Sequence, residues 1–395
     1  MTLFTRRATL AAGSALLAAP HAVRAQGAPI RLGTLTPLTG AGGPYGPVMA
    51  NCVRAVITEV NAAGGVLGRQ IQLVSEDDQT NPEAGLRSAR KLIDVDRVAA
   101  IMGTWASSVT TAVAPLCWES RTFLATVSGA DSITALPHNG WLVRTQPNTT
   151  LQGRKFGEYA IELGARRAFF MAPQTPFTQS QFTNMKTAME RAGGTAELLV
   201  YDASKPSLRT EVDQALRFRP DIIVMGGYTP DTTVLLRDIF RAGYTGRKLA
   251  FAYSVNQQML SALPNDVTEG IHTLAPSPAE NSGGFARVKR IVGNDNPDPY
   301  TCQVYDHVNL VLMAMAAGRD GTGQAIRDSI RSVSQGGGEK VDNALDGLRA
   351  IAAGRKVDYD GASGPCDFTD AGDISDCQFR YEQVRAGRQT LLRIA

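Results

Sequence analysis

From Ile30 onward the chain alternates short apolar runs with amphipathic segments, and this alternation constrains its fold more than any other feature. Residues 30–36 predict a strand, 47–62 a helix, 70–75 a strand and 82–94 a helix, with 98–103, 109–120 and 122–127 continuing the series. A second series starts near Leu151: helix 151–163, strand 167–172, helix 181–192, strand 197–201, helix 208–217, strand 221–225, helix 230–242 and strand 248–251. Strands that alternate with helices build a parallel sheet covered on both faces. Two such series predict an α/β protein of two doubly wound lobes.

The section after Gly270 begins no third repeat. It offers helices over 300–317, 322–333 and 340–353 and a closing hairpin over 366–385. A remainder of that size completes both lobes, which requires three crossings, near 145–149, 273–277 and 357–361. The expected lobes are 26–148 with 275–360, and 149–274 with 361–395, with a ligand cleft between them. Asp306, His307 and Asn309 interrupt the apolar run at 300–317, so it predicts a core helix and not a membrane span.

Residues 1–25 carry a different message. Thr5-Arg6-Arg7-Ala8-Thr9-Leu10 is a twin-arginine opening, an apolar run extends from Ala8 to Ala19, and Val23-Arg24-Ala25 supplies a small-x-small cleavage pattern. This predicts an export signal cut after Ala25 and a periplasmic mature chain. The full chain has 40 Lys and Arg against 37 Asp and Glu; loss of Arg6, Arg7 and Arg24 leaves the two signs equal. A neutral mature chain with 43% hydrophobic residues argues against a nucleic-acid binder and for a sizeable core.

An exported chain can hold disulfides. Cys366 and Cys377 flank a turn at Asp370-Ala371-Gly372-Asp373, so a cross-strand Cys366–Cys377 bond is expected. Cys52 and Cys302 either pair or serve as small buried hydrophobes, and Cys117 is expected to be free. His138, His272 and His307 lack metal-ligand spacing, there is no C-x-x-C, and neither G-x-S-x-G nor H-E-x-x-H occurs. The Gly40–Gly46 stretch is neither a P-loop nor G-x-G-x-x-G. No metal, cofactor or enzymatic activity is expected.

Ligands of open α/β sheets sit beyond the carboxyl ends of the strands. Gly103-Thr104-Trp105-Ala106-Ser107-Ser108 and Ser128-Gly129-Ala130-Asp131-Ser132 both run from a strand into a helix. Each brings hydroxyls and unpaired N–H groups to a helix start, where the dipole favours an anion. Either loop alone is read as N-capping; together they predict a carboxylate clamp. Tyr45 and Trp105 on one side, with Phe177 and Tyr228 at strand ends of the second series, predict an apolar, aromatic pocket. Glu76-Asp77-Asp78 is read as a turn-capping or hinge run.

Several motifs, in order, resemble the leucine/isoleucine/valine-binding type of periplasmic solute receptor, the binding component of a branched-chain amino acid ABC importer. They are Leu38-Thr39-Gly40, Glu59 to Gly68, Glu76 to Pro82, Val143-Arg144-Thr145-Gln146-Pro147, Gly226-Gly227-Tyr228 and Tyr359 to Pro365. The resemblance implies a type I binding protein, monomeric, that closes two lobes on a small carboxylate ligand and presents it to a membrane permease. It implies that Ser107 binds the carboxylate through hydroxyl and N–H, with Ser128 and Ala130 contributing from the neighbouring loop. Tyr228 takes the place near the ammonium, Phe177 closes over the ligand, and Tyr45 and Trp105 line the side-chain pocket.

The ligand the resemblance implies is a hydrophobic or branched-chain amino acid or a related compound, and one departure sets an aromatic or aliphatic carboxylate or amide beside it as the alternative. Receptors of this type place an acid against the α-ammonium, and the alignment puts Ala252 at that position, within Phe251-Ala252-Tyr253-Ser254-Val255-Asn256. Either Asp131 supplies the charge, or the ligand is a carboxylate or amide without an ammonium. A ligand-sensing module for a membrane signalling protein is the alternative use of the same fold.

Overall fold

The computed structural model describes residues 27–395; the expected export signal and cleavage after Ala25 lie outside the described residues. Five strands, β1 (Ile30–Thr36), β2 (Ile71–Asp77), β3 (Ala100–Thr104), β4 (Phe123–Thr126) and β5 (Leu142–Arg144), form a wholly parallel sheet in the order β2-β1-β3-β4-β5. A second sheet contains the parallel strands β6 (Arg167–Pro173), β7 (Thr195–Tyr201), β8 (Ile222–Met225), β9 (Arg247–Phe251) and β10 (Ile271–Pro276). Between these and the last pair of strands, β11 (Glu339–Val341) and β12 (Val357–Tyr359) form a short parallel ladder of their own. The closing strands β13 (Phe379–Arg385) and β14 (Arg388–Ile394) add antiparallel to β10, which gives the order β14-β13-β10-β9-β8-β6-β7.

Burial on both faces explains why the strands read as continuous apolar runs. In β6 and β8, Phe169, Met171, Ile223 and Met225 enter one core, while Ala168, Phe170, Ala172, Ile222 and Val224 enter the core on the opposite face. The first sheet shares a single large core with the helix Pro299–Gly318, whose residues are buried from Tyr300 to Met315. That helix is buried all round because the helices Gly46–Ala62, Gly323–Ser334 and Ala344–Ala352 surround it. No helix among the described residues is long and apolar enough to cross a membrane.

Several expectations near the C-terminus need correction. The hairpin is Phe379–Arg385 with Arg388–Ile394, and Ala386 and Gly387 turn it with φ of 49° and 72°. Positive φ at both central residues matches the right-handed twist of the strands. The Asp370–Asp373 turn does form, closed by a Phe368–Ile374 bridge, but it belongs elsewhere. Ala362, Cys366 and Phe368 pack in the first core, and the chain joins the second sheet only at Phe379. The final crossing therefore falls after Ile374, not at 357–361.

The same packing removes the expected disulfide. Cys366 is buried in the first core, Cys377 packs against a core of the second sheet, and both thiols are free. Cys52, Cys117 and Cys302 are free and buried as well. The helix expected over 340–353 starts at Ala344, because Glu339–Val341 pairs with β12.

Candidate functional site

In both sheets the strand order reverses beside the first strand of the series, between β1 and β3 and between β6 and β8. Loops leaving these strands face each other and enclose one pocket. Its lining is Trp105, Ala106, Ser107, Val127, Gly129 and Gln146 from the first sheet's loops, Phe177, Tyr228 and Tyr253 from the second's, and Tyr300 from the central helix.

Rings dominate this space. Trp105 lies with its centroid 5.4 Å from Tyr228, 5.5 Å from Tyr253 and 5.6 Å from Tyr300. Tyr45 stacks on the outer side of Trp105 at 5.7 Å, and its hydroxyl donates across the cleft to the Tyr253 carbonyl at 2.8 Å. Burial pushes the Tyr45 phenol well up, with the Asp298 carboxylate adding to the shift, so it stays a donor. Phe177 packs on Phe251 at 5.2 Å and against Gly129, where an added Cβ would stand 2.8 Å from its ring. Only glycine lets that ring approach. The lobes meet over the pocket, and about 30 Å³ remains between the rings, room for roughly one water. A ligand enters only as the rings part. A larger cavity of about 720 Å³ lies on the first lobe's surface between Val66, Leu67, Arg319, Leu348 and Ile351, remote from the strand ends.

Ser107 is the polar anchor. Ala106 holds the N-cap position of the helix Ser107–Glu119 and makes no side-chain cap bond, so Ser107 is not a capping residue. Its Oγ accepts from the Ala130 N–H at 3.2 Å, and its hydroxyl remains able to donate. Ser128 is used differently. Its hydroxyl lies 3.0 Å from the Thr104 carbonyl, 2.9 Å from that of Trp105 and 2.5 Å from Thr110 Oγ1. With Thr126 it forms a buried hydroxyl cluster that pins β3 to β4. Ser128 and Ala130 therefore sit behind the pocket wall.

Asp131 also faces away. Its carboxylate accepts from the Thr150 N–H at 2.9 Å, Ser180 Oγ at 2.8 Å and Asn184 Nδ2 at 2.8 Å. Burial acts to raise its pKa, but these donors outweigh it and hold the carboxyl below its usual range. Asp131 ties the first sheet's loop to the helices Thr149–Glu162 and Pro176–Arg191. Ala252 is half-buried beside the pocket; its neighbour Tyr253 lines it.

Arg144 fixes the whole wall. It is fully buried, donates to the Ala130 carbonyl at 2.7 Å and to Thr134 Oγ1 at 2.7 Å, and pairs with Asp373. Elsewhere, Asp77 accepts from Thr39 and from the Gln79 N–H, as the turn-capping reading requires. Asp78 is buried with Oδ2 unpartnered, and burial pushes it up to about 7. Asp231 stands behind Tyr228, accepting from its N–H at 3.0 Å and from Tyr201 OH at 2.6 Å. Among the described residues no cluster of His, Cys, Asp or Glu is arranged to hold a metal.

Sequence reasoning found Tyr45, Trp105, Ser107, Phe177 and Tyr228, which the fold brings together, and missed Gln146, Tyr253 and Tyr300. Gln146 follows a strand and Tyr300 opens a helix, so strand-end position was the available signal for the first.

Fold and cleft together define a periplasmic binding protein. The periplasmic binding protein family model matches residues 29–387, and the chain belongs to that family. A relative from Halobacterium salinarum, the chemotactic signal transduction system substrate-binding protein BasB, is 28% identical over 363 residues, covering 87% of this chain and 84% of its own. The leucine-binding protein LivK of Thermotoga maritima has the same fold, with a TM-score of 0.79 at 18% identity over 92% of this chain and 98% of its own. An R. palustris ABC-transporter solute-binding protein solved with benzoate superposes with a TM-score of 0.73 at 16% identity, over 93% of this chain and 96% of its own.

Proposed function

We propose that the protein is the solute receptor of an ABC importer and that it takes a small carboxylate without an α-ammonium group, an aromatic acid foremost. One observation carries this: among the described residues, no charged side chain lines the pocket. A ligand ammonium enclosed there without a carboxylate partner costs several kcal/mol. Asp131, the acid that would have to replace the missing carboxylate partner, has its oxygens taken up by Thr150, Ser180 and Asn184. The rings of Trp105, Phe177, Tyr228 and Tyr253 suit a planar apolar body, and Ser107 at a helix start suits its carboxylate. Benzoate in the R. palustris neighbour supports the same class.

In this reading the chain is exported, loses residues 1–25 and works in the periplasm as a monomer. Its two lobes close on the ligand without changing it and present the closed form to a membrane permease. Contacts from both lobes exist only in the closed form, and this shifts the population toward it. The test is thermal unfolding of residues 26–395 with benzoate-like and aliphatic acids, set beside the hydrophobic L-amino acids. A ligand at a hundredfold excess over Kd adds about 2.7 kcal/mol of stability. Stabilisation by the acids is expected; stabilisation by amino acids alone would restore the branched-chain amino acid reading.

The chemotactic relative favours a second use of the same cleft, delivery of ligand to a membrane signalling protein. Retention of a chemoreceptor or kinase, and never a permease, in a pull-down with the closed form would establish it.

A further inference from the structure

Gln146 lies on the segment that leaves β5, is 3% exposed, and lines the pocket. Its Oε1 accepts from Gln303 Nε2 at 2.7 Å, so the carbonyl end of the amide is fixed. No hydrogen bond among the described residues uses the Gln146 Nε2 donors, and that atom is not among the buried polar atoms sealed without a partner. Gln303 Oε1 is one of those sealed atoms. Reversing both amides would exchange this unpaired acceptor for an unpaired buried donor, the rarer situation in folded proteins. The pair therefore presents N–H, not C=O, to the cleft.

Position gives this donor a role separate from that of Ser107. Ser107 follows β3 and Gln146 follows β5, with β4 between them. Two strand spacings set their backbones roughly 10 Å apart across the pocket floor. Gln303 sits one turn from Tyr300 on the same helix, so a ring and the clamp on Gln146 come from one element.

We propose that Gln146, oriented by Gln303, is a specificity-determining donor that takes a second oxygen, hydroxyl or carbonyl, at the end of the ligand remote from its carboxylate. The inference rests on the reading of the cleft as a receptor for acids without an ammonium. It narrows that class to oxygenated acids, because an acid lacking the second oxygen leaves the Gln146 donor buried and unpaired. Gln303 is a positioning residue that acts through Gln146.

The experiment is calorimetric titration of residues 26–395 with benzoate and with 4-hydroxybenzoate. Wild type is expected to bind the hydroxylated acid about tenfold tighter. Gln146→Met is expected to bring the two acids within about twofold of each other. Gln303→Met leaves Gln146 unpinned and is expected to move the ratio the same way, which carries the test should Gln146→Met fail to fold. Equal affinities in wild type, a preference that survives the substitution, or an equal loss for both acids would each overturn the assignment. Binding of neither acid by wild type would overturn the aromatic-acid reading of the cleft, and the assignment with it.

Discussion

On the first-sheet side of the cleft Trp105 stands among hydroxyl, amide and backbone groups held from behind; on the second-sheet side every lining residue is a ring. Ser107 and Gly129 are backed by the buried Thr104–Thr110–Thr126–Ser128 cluster and by Arg144, and Gln146 is held by Gln303. Phe177, Tyr228 and Tyr253 are half-buried and packed on one another and on Phe251. A hydrogen-bonded wall is preorganised and fixes where a polar ligand group sits. A ring wall gains most of its contact area when the lobes meet. The first side thus sets orientation, and the second sets closure.

The strongest way to break this contrast is to remove the support behind the polar wall. Arg144→Met takes from Asp373 the only cation paired with it among the described residues, takes one donor from the Ala130 carbonyl, and is expected to cost about 3–5 kcal/mol in denaturant unfolding. A loss below about 1 kcal/mol would mean that the wall stands without it.

The polar side also continues into the first crossing, where Thr145 Oγ1 meets His307 Nε2 at 2.8 Å. Burial pushes the His307 pKa down to about 3. The folded chain resists a proton that the unfolded chain takes near pH 6.5, so the stability present above that pH is lost as pH falls toward about 3. His307→Gln should remove about 2–3 kcal/mol of the acid destabilisation at pH 4.5. Unfolding midpoints measured at pH 4.5 and pH 8 check it; parallel losses in both proteins would refute it.

Within the pocket itself, Ser107→Ala is expected to weaken carboxylate ligands by about 1.5–3 kcal/mol, the range for a hydrogen bond to a charged group. Unchanged calorimetric affinity would remove Ser107 from the site. The smallest effect belongs to the latch between the sides. Tyr45→Phe deletes the hydrogen bond to the Tyr253 carbonyl, with an expected loss of about 0.5–1.5 kcal/mol from the closed form, seen as faster ligand release.

The alternation of strands and helices was legible because each element buries a face and each loop carries turn residues. The C-terminal section was not, because its residues divide between two cores: Cys366 and Cys377 are close in sequence yet lie in different cores. In the site, Trp105, Ser107, Phe177 and Tyr228 could be read because chemistry at a strand end has few other places to point. Ser128 and Asp131 offered the same signal, but neighbours distant in sequence, Thr110 and Ser180, occupy their side chains. Sequence shows which groups can bind; it does not show which are already bound. Tyr300 was hidden by the opposite effect, since it opens a largely apolar helix and reads as part of its core.

The central claim is that a cleft without charge has no place for an ammonium, and two matched pairs of ligands test it most directly. 3-Phenylpropanoate differs from L-phenylalanine, and 4-methylpentanoate from L-leucine, only by the α-ammonium. Calorimetric titration of residues 26–395 is expected to show each plain acid binding at least tenfold tighter than its amino acid. Tighter binding of either amino acid would contradict the account and require an acid to reach the ligand from outside the present lining.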